Sequence, residues 1–208
     1  MRTALVTGGT VRLGKAISDE LRLRGWKVIT SSHRQDASAD IVADLSSRSG
    51  AADLYGKCLR LLGGNPPDAL VNNAAVLEGD PEKVRCLNFT SPSKLIMLMA
   101  GRETSRGSVV NILDASLPDE RFGTYLESKK LLAEYTLKAA ALFADTLNVN
   151  AVSPGPVIAK EGFALKAGDF PLPRPTEKDV AEAVAYLLGA KAVTGANISV
   201  DSGLGVLN

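Results

Sequence analysis

The chain has very little of several things, and each shortage removes a class of function. It carries one histidine, His33, so a histidine-rich metal centre is ruled out. It carries two cysteines, Cys58 and Cys86, with no metal-ligand spacing and apolar neighbours. They read as reduced core residues in a reducing compartment rather than as a disulfide or a metal site. The formal net charge is only +1, which gives no basic footprint for nucleic acid or for a membrane surface. No apolar run approaches the roughly 20 residues that span a bilayer. Met1-Arg2 runs straight into a strand-like segment, so no cleavable leader is expected and the location is expected to be cytoplasmic.

What the chain does have is length and periodicity. Its 208 residues, 45% apolar and 23% charged, are enough for one well-buried α/β domain. Short β-branched runs alternate with helical patterns from end to end. Strands are expected at Thr3–Thr7, Trp26–Thr30, Asp40–Ala43, Ala69–Val71, Gly107–Leu113, Leu147–Val152 and Asn197–Val200. Helices are expected at Leu13–Arg24, Ser49–Leu62, Lys83–Met99 with a kink or the start of a new turn at Pro92, about Gly123 to Asp145, and from a Thr176 cap to Leu188. This order predicts a single doubly wound Rossmann-type domain over residues 1–208, with a mainly parallel sheet of about seven strands flanked by helices. Residues 157–175, rich in Gly and Pro without periodicity, predict a lid on the substrate side.

The stretch around which the chemistry gathers is Tyr125-Leu126-Glu127-Ser128-Lys129. On a helix, positions four apart share a face, so Tyr125 and Lys129 project side by side. An ammonium beside a phenol favours the phenolate, so the tyrosine pKa is expected below its usual value of about 10. That would make a general acid/base for near-neutral pH. Elsewhere, Gly8-Gly9-Thr10-Val11-Arg12-Leu13-Gly14 follows the first strand and opens a helix. In that setting a glycine turn binds a nucleotide diphosphate on unpaired N–H groups; the alternative is a plain strand-to-helix turn. Ser32, His33 and Arg34 follow the second strand, where a basic residue accommodates a 2′-phosphate, so NADPH is preferred. Asp36 is the alternative reader there, which would favour NADH.

Asn72-Asn73-Ala74-Ala75 follows the fourth strand, where amides can fix a turn and line a crevice. Asn88 lies just before Pro92, where a freed carbonyl and the asparagine could hold a water; a capping or satisfied Asn88 is the alternative. Asp114 falls at the carboxyl end of the fifth strand, where open parallel sheets bind ligands; the alternative is a cap for the next turn.

Taken in order, Thr7-Gly8…Gly14, Asp44, Asn72-Asn73-Ala74, Asn88, Tyr125-x-x-x-Lys129 and Pro154-Gly155 resemble the short-chain dehydrogenase/reductase family over nearly the whole chain. The resemblance implies NADP(H) as cofactor, held by Gly8, Arg12, Leu13, Ser32, His33, Arg34, Asp44, Leu45, Asn73, Ala74, Tyr125, Lys129, Pro154 and Gly155. It also implies Tyr125 as proton donor, Lys129 as its tuner and ribose ligand, and Asn88 as holder of a relay water. Where the family carries glycine this chain has Arg12, and where it carries a catalytic serine this chain has Asp114, with Ser116 two residues on as the other candidate for that place. Arg12-Leu13-Gly14, His33-Arg34 and Asp114 together resemble the pteridine reductase branch, with its dihydromonapterin and dihydrofolate reductase-like members.

The expected reaction is hydride transfer from NADPH to a pteridine C=N bond, with Tyr125 and Asp114 supplying the proton. The alternatives are a carbonyl reductase of the same fold and a regulator that binds NADP(H) without turnover. The expected partner is a small-molecule substrate, and the resemblance implies a homodimer or homotetramer.

Overall fold

The computed structural model describes residues 1–35, 38–101, 106–115, 123–157 and 171–206. Seven strands form one all-parallel sheet: β1 (Thr3–Thr7), β2 (Lys27–Ser32), β3 (Ile41–Val42), β4 (Ala69–Asn72), β5 (Gly107–Ile112), β6 (Leu147–Pro154) and β7 (Asn197–Val200). Their spatial order is β3-β2-β1-β4-β5-β6-β7. The chain therefore runs outward from β1 in one direction, then returns across β1 and continues outward from β4 in the other. The reversal opens a crevice between β1 and β4 at the carboxyl edge. The expected doubly wound sheet is what forms.

The strands read as continuous apolar runs because both faces are covered. In β1 and β4, Leu5 and Leu70 face one layer, while Ala4, Val6, Ala69 and Val71 face the other. The first layer receives Leu54 of α2 (Gly50–Leu61), Leu95, Ile96 and Met99 of α4 (Ser91–Ala100) and Ala139 of α5 (Gly123–Leu142). The second receives Ile17 and Leu21 of α1 (Arg12–Leu23), and Val180, Val184 and Leu187 of α6 (Glu177–Gly189). Burying each such leucine or isoleucine contributes about 1.5–3 kcal/mol, so the two apolar layers fix the sheet and set its carboxyl edge in place.

The helix expected across Pro92 is interrupted there, and a new one begins with the proline in its first turn. A short α3 (Pro81–Arg85) runs into a single wide π turn, Cys86–Thr90, and then into α4, with Pro92 in its first turn. The chain is already helical before Pro92, so the proline withholds an N–H from the preceding turn and its ring crowds the carbonyl four residues back, at Asn88, inside the widened turn. The distortion lies upstream, where the Ser91 amide reaches back to the Cys86 carbonyl. At the last helix, Thr176 and Asp179 form the reciprocal cap that their spacing predicted. None of the described helices is long and apolar enough to cross a membrane.

Candidate active site

All seven strands end on one edge, and the candidate residues follow those ends. The turn after β1 is drawn tight. Gly8 has φ 62, and a side chain on Gly14 would sit 2.0 Å from the Gly8 carbonyl oxygen, so helix and turn touch backbone to backbone. The Thr7 hydroxyl is its hub, accepting from the Asn73 amide at 2.9 Å and the Ala74 amide at 3.0 Å. The Asn73 side chain donates to the carbonyls of Thr7 and Gly8 at 2.9 and 3.2 Å. The two halves of the switch point are thus sewn together.

Arg12 has φ 47, in the left-handed region. A residue with a β-carbon is held there at a cost of about 1–2 kcal/mol. That is the physical reason glycine is the easier choice at this position. α1 begins here with no side-chain cap at its N-terminus, which leaves the donors and positive dipole that suit an anion.

At the end of β2, Ser32 accepts the Arg34 amide at 3.0 Å, shaping the turn that presents His33 and Arg34. Both arginines are exposed, and neither guanidinium pairs with a carboxylate among the described residues. Asp36 lies outside the described residues. Past β3, the hydroxyl and amide of Ser46 hold the Asp44 carboxyl below the usual range, with smaller help from His33 and Lys83. Leu45 is buried, and its carbonyl accepts from the Ser91 hydroxyl at 2.7 Å, which fixes the loop to α4.

The candidate catalytic side chains Asp114, Tyr125 and Lys129 lie between β5 and α5. Tyr125 Oη donates to Asp114 Oδ2 at 2.5 Å. Lys129 Nζ lies 5.6 Å from the centre of the Tyr125 ring and donates to the Ile112 carbonyl at 2.7 Å. The pair is therefore side by side, as the helical spacing predicted. The expected consequence for Tyr125 is overturned. Burial first, and the Asp114 carboxylate second, push the phenol well above its ordinary range. Lys129 is itself so buried that its own pKa falls to about 8, only partly supported by Asp114. Burial, helped by a carboxylate in hydrogen-bond contact, outweighs an ammonium that lies beside the ring and bonds elsewhere.

Asn88 lies in the π turn. Its Oδ1 accepts from the Val76 amide at 3.0 Å, and its Nδ2 donates to the Val76 carbonyl at 2.8 Å and to Ser128 Oγ at 3.2 Å. Both side-chain donors are engaged, so the amide is a satisfied brace, the alternative reading of the local sequence. Gly155 has a different constraint from that of Gly8. A side chain on it would lie 2.8 Å from Asp201 Cα, so it permits close packing of β6 against the turn after β7. Pro154 accepts the Ala115 amide at 2.9 Å, which holds the segment after Asp114. Ser116 and most of the expected lid lie outside the described residues. Residues on either side of that span are anchored: Arg174 donates to the Pro156 carbonyl at 2.9 Å, and Ser202 to the Pro173 carbonyl at 2.6 Å.

Sequence reasoning did not single out Thr7 or Ser128 for these roles. Ser128 had a faint signal, lying one turn after Tyr125 and beside Lys129.

An all-parallel sheet with a tight glycine turn at its switch point defines a Rossmann-type nucleotide-binding protein. The family model for short chain dehydrogenases matches residues 2–162, and the chain belongs to that family. A rhamnolipid-biosynthesis 3-oxoacyl-[acyl-carrier-protein] reductase of Pseudomonas aeruginosa is 32% identical, over 97% of this chain and 95% of that protein. A dihydromonapterin reductase of Klebsiella pneumoniae is 24% identical over 97% and 96%. Among solved structures, an alternative dihydrofolate reductase (FolM) of Brucella canis, complexed with NADP, superposes with a TM-score of 0.86 at 27% identity, covering 99% of this chain and 94% of that one.

Proposed function

We propose that the chain is an NADPH-dependent reductase that saturates a C=N bond of a dihydropterin or dihydrofolate-like pteridine. The observation that carries this reading is the Tyr125–Asp114 contact at 2.5 Å, a carboxylate where the family carries a serine. Reduction of C=N places a proton on nitrogen, and a phenol paired with a carboxylate is suited to deliver it. The same carboxylate can accept hydrogen bonds from an amino-pyrimidine, which a serine does less well. The names of the Brucella and Klebsiella relatives support the same substrate class.

The residues fit the cofactor. The uncapped start of α1 with Gly8, Arg12 and Leu13 suits the diphosphate, and Ser32, His33 and Arg34 suit the 2′-phosphate. Asp44 and Leu45 would hold the adenine side. Asn73, Ala74, Pro154 and Gly155 would line the nicotinamide side, with Lys129 at its ribose. When bound, the reduced nicotinamide supplies the hydride. Tyr125, kept neutral by burial and by the Asp114 carboxylate, is loaded with a proton at working pH and would give it to the substrate nitrogen, while Asp114 orients its hydroxyl and the phenol regains a proton from solvent. The Lys129 ammonium offsets negative charge as it develops on the phenol oxygen. In this scheme Asn88 acts through the chain that it braces.

The test is NADPH oxidation with dihydropterins and dihydrofolate, inhibited by an antifolate; absence of oxidation with every pterin tried rejects the reading. A second reading, a carbonyl reductase, is favoured by the 32% identity to the 3-oxoacyl reductase. Turnover of 3-oxoacyl thioesters or simple ketones in place of pterins would establish it. We also propose a homodimer or homotetramer, because Leu137 and Leu142 on α5 are 60% and 74% exposed. Light scattering of the purified protein reads this directly.

A further inference from the structure

The buried groups behind Tyr125 form a continuous chain that begins in the loop after β4. Val76 offers its amide and carbonyl to the two ends of the Asn88 side chain, at 3.0 and 2.8 Å. This double contact fixes which end of the amide is oxygen. The second Asn88 N–H then goes to Ser128 Oγ at 3.2 Å, and Ser128 donates its own proton to the Tyr125 carbonyl at 2.6 Å. Asn88 and Ser128 are both 1% exposed, so no water replaces a lost partner. Back-bonding of a serine to its own helix is common. Here the same hydroxyl also takes a hydrogen bond from another element, the π turn at Cys86–Thr90.

We propose that Ser128 is a positioning residue, which ties the loop that carries Asn73 and Ala74 to the first turn of α5 and so sets where Tyr125 Oη stands against Asp114. The inference rests on the proton-donor role assigned to Tyr125 above. Deleting the hydroxyl leaves one Asn88 N–H buried without an acceptor and removes the side-chain hydrogen bond to the Tyr125 carbonyl. Asn88 then reorients, its grip on Val76 loosens, and the start of α5 loses its register with β5. A buried donor left unpaired is costly enough to drive such a shift. The contacts assigned to the diphosphate and the 2′-phosphate, at the start of α1 and after β2, do not pass through Ser128, so most of the NADPH affinity is kept while the nicotinamide end and the proton donor lose their alignment.

The test compares Ser128→Ala, Ser128→Cys and Ser128→Thr with the wild type. Cysteine fills similar space with a weakly bonding thiol, and threonine returns a hydroxyl to the same carbon. Expected for Ala and Cys is a fall in kcat of about tenfold to a hundredfold, as misplacement of a reacting group produces. NADPH affinity, followed by its fluorescence, should stay within about twofold, since binding and chemistry separate when only orientation is lost. Exchange of the Val76 amide proton, followed by NMR, should quicken by about tenfold or more as local protection falls. Threonine should recover most of both effects.

Unchanged kcat, unchanged Val76 exchange, a parallel loss of kcat and NADPH affinity, or a threonine variant no better than alanine overturns the proposal. If the wild type turns over no pterin, the substrate reading fails, and the Val76 exchange alone decides whether Ser128 makes this link.

Discussion

A buried phenol holds its proton more firmly than a free one, and a hydrogen bond to a carboxylate adds to this; Tyr125 has both. It is expected to remain protonated through the neutral range, as a donor for reduction must. Tyr125→Phe keeps the ring and removes the proton. Turnover should fall by about a hundredfold to ten-thousandfold, the usual worth of a general acid, with NADPH still bound. A variant with unchanged turnover would favour the alternative in which the protein binds cofactor without moving a proton.

Lys129 allows a test that needs no substrate. Its folded pKa is about 8 against 10.5 in the unfolded chain, so between those values the unfolded chain binds more protons. This group therefore lowers stability below pH 8, and the penalty is relieved as pH rises toward 10.5. At about 1.4 kcal/mol per pKa unit the full swing is roughly 3 kcal/mol. Urea unfolding of wild type and Lys129→Met across pH 7 to 10 should show the difference, wild type minus variant, moving in favour of the wild type. A difference that moves the other way would mean that the ammonium is better solvated than its burial indicates.

At the scale of elements, most of what matters could be read from local pattern. The capping box at Thr176 and Asp179 needs only its own four residues, and it is present. Thr176→Ala should cost about 1 kcal/mol, seen as a lower melting temperature. The glycine turn was also legible, because a strand, a glycine run and a helix specify each other. Gly14→Ala tests it hard. The added carbon would meet the backbone oxygen of Gly8 at 2.0 Å, and neither partner is a side chain that can swing away. A loss of about 3 kcal/mol or more is expected, together with loss of nucleotide binding.

The π turn was not legible. Pro92 is visible in the sequence as a helix breaker and points to the turn before it, but the form the break takes, a widened turn at Cys86–Thr90, is not given by the proline alone. What accompanies it is Asn88 bonding to Val76 and Ser128, and those contacts exist only after the elements have packed. The Tyr125 pKa was misjudged for the same reason. Spacing along α5 gave its ammonium neighbour correctly, while the burial that outweighs it, and the carboxylate that adds to it, exist only once β5 and α5 have packed.

At the scale of the whole molecule, the parallel sheet places the ends of β1, β2, β4, β5 and β6 on one edge. The proposed cofactor contacts and the proposed proton donor would thereby share a crevice although they are separated along the chain. Bound nucleotide would bridge these strand ends, so binding should stabilise the fold as a unit. At a concentration a hundred times its Kd, a ligand specific for the folded state adds about 2.7 kcal/mol. For a domain of this size that is a rise of roughly 5–10 °C in melting temperature. NADPH should give this rise, and NADH at equal concentration a smaller one, because Arg34 and Arg12 are exposed at that edge without a carboxylate partner among the described residues. Arg34→Ala should bring the NADPH shift down toward the NADH shift and leave the NADH shift in place. Equal shifts from the two nucleotides in the wild type, or an equal loss of both in the variant, would remove the 2′-phosphate from the account and return the adenosine end to a hydroxyl reader.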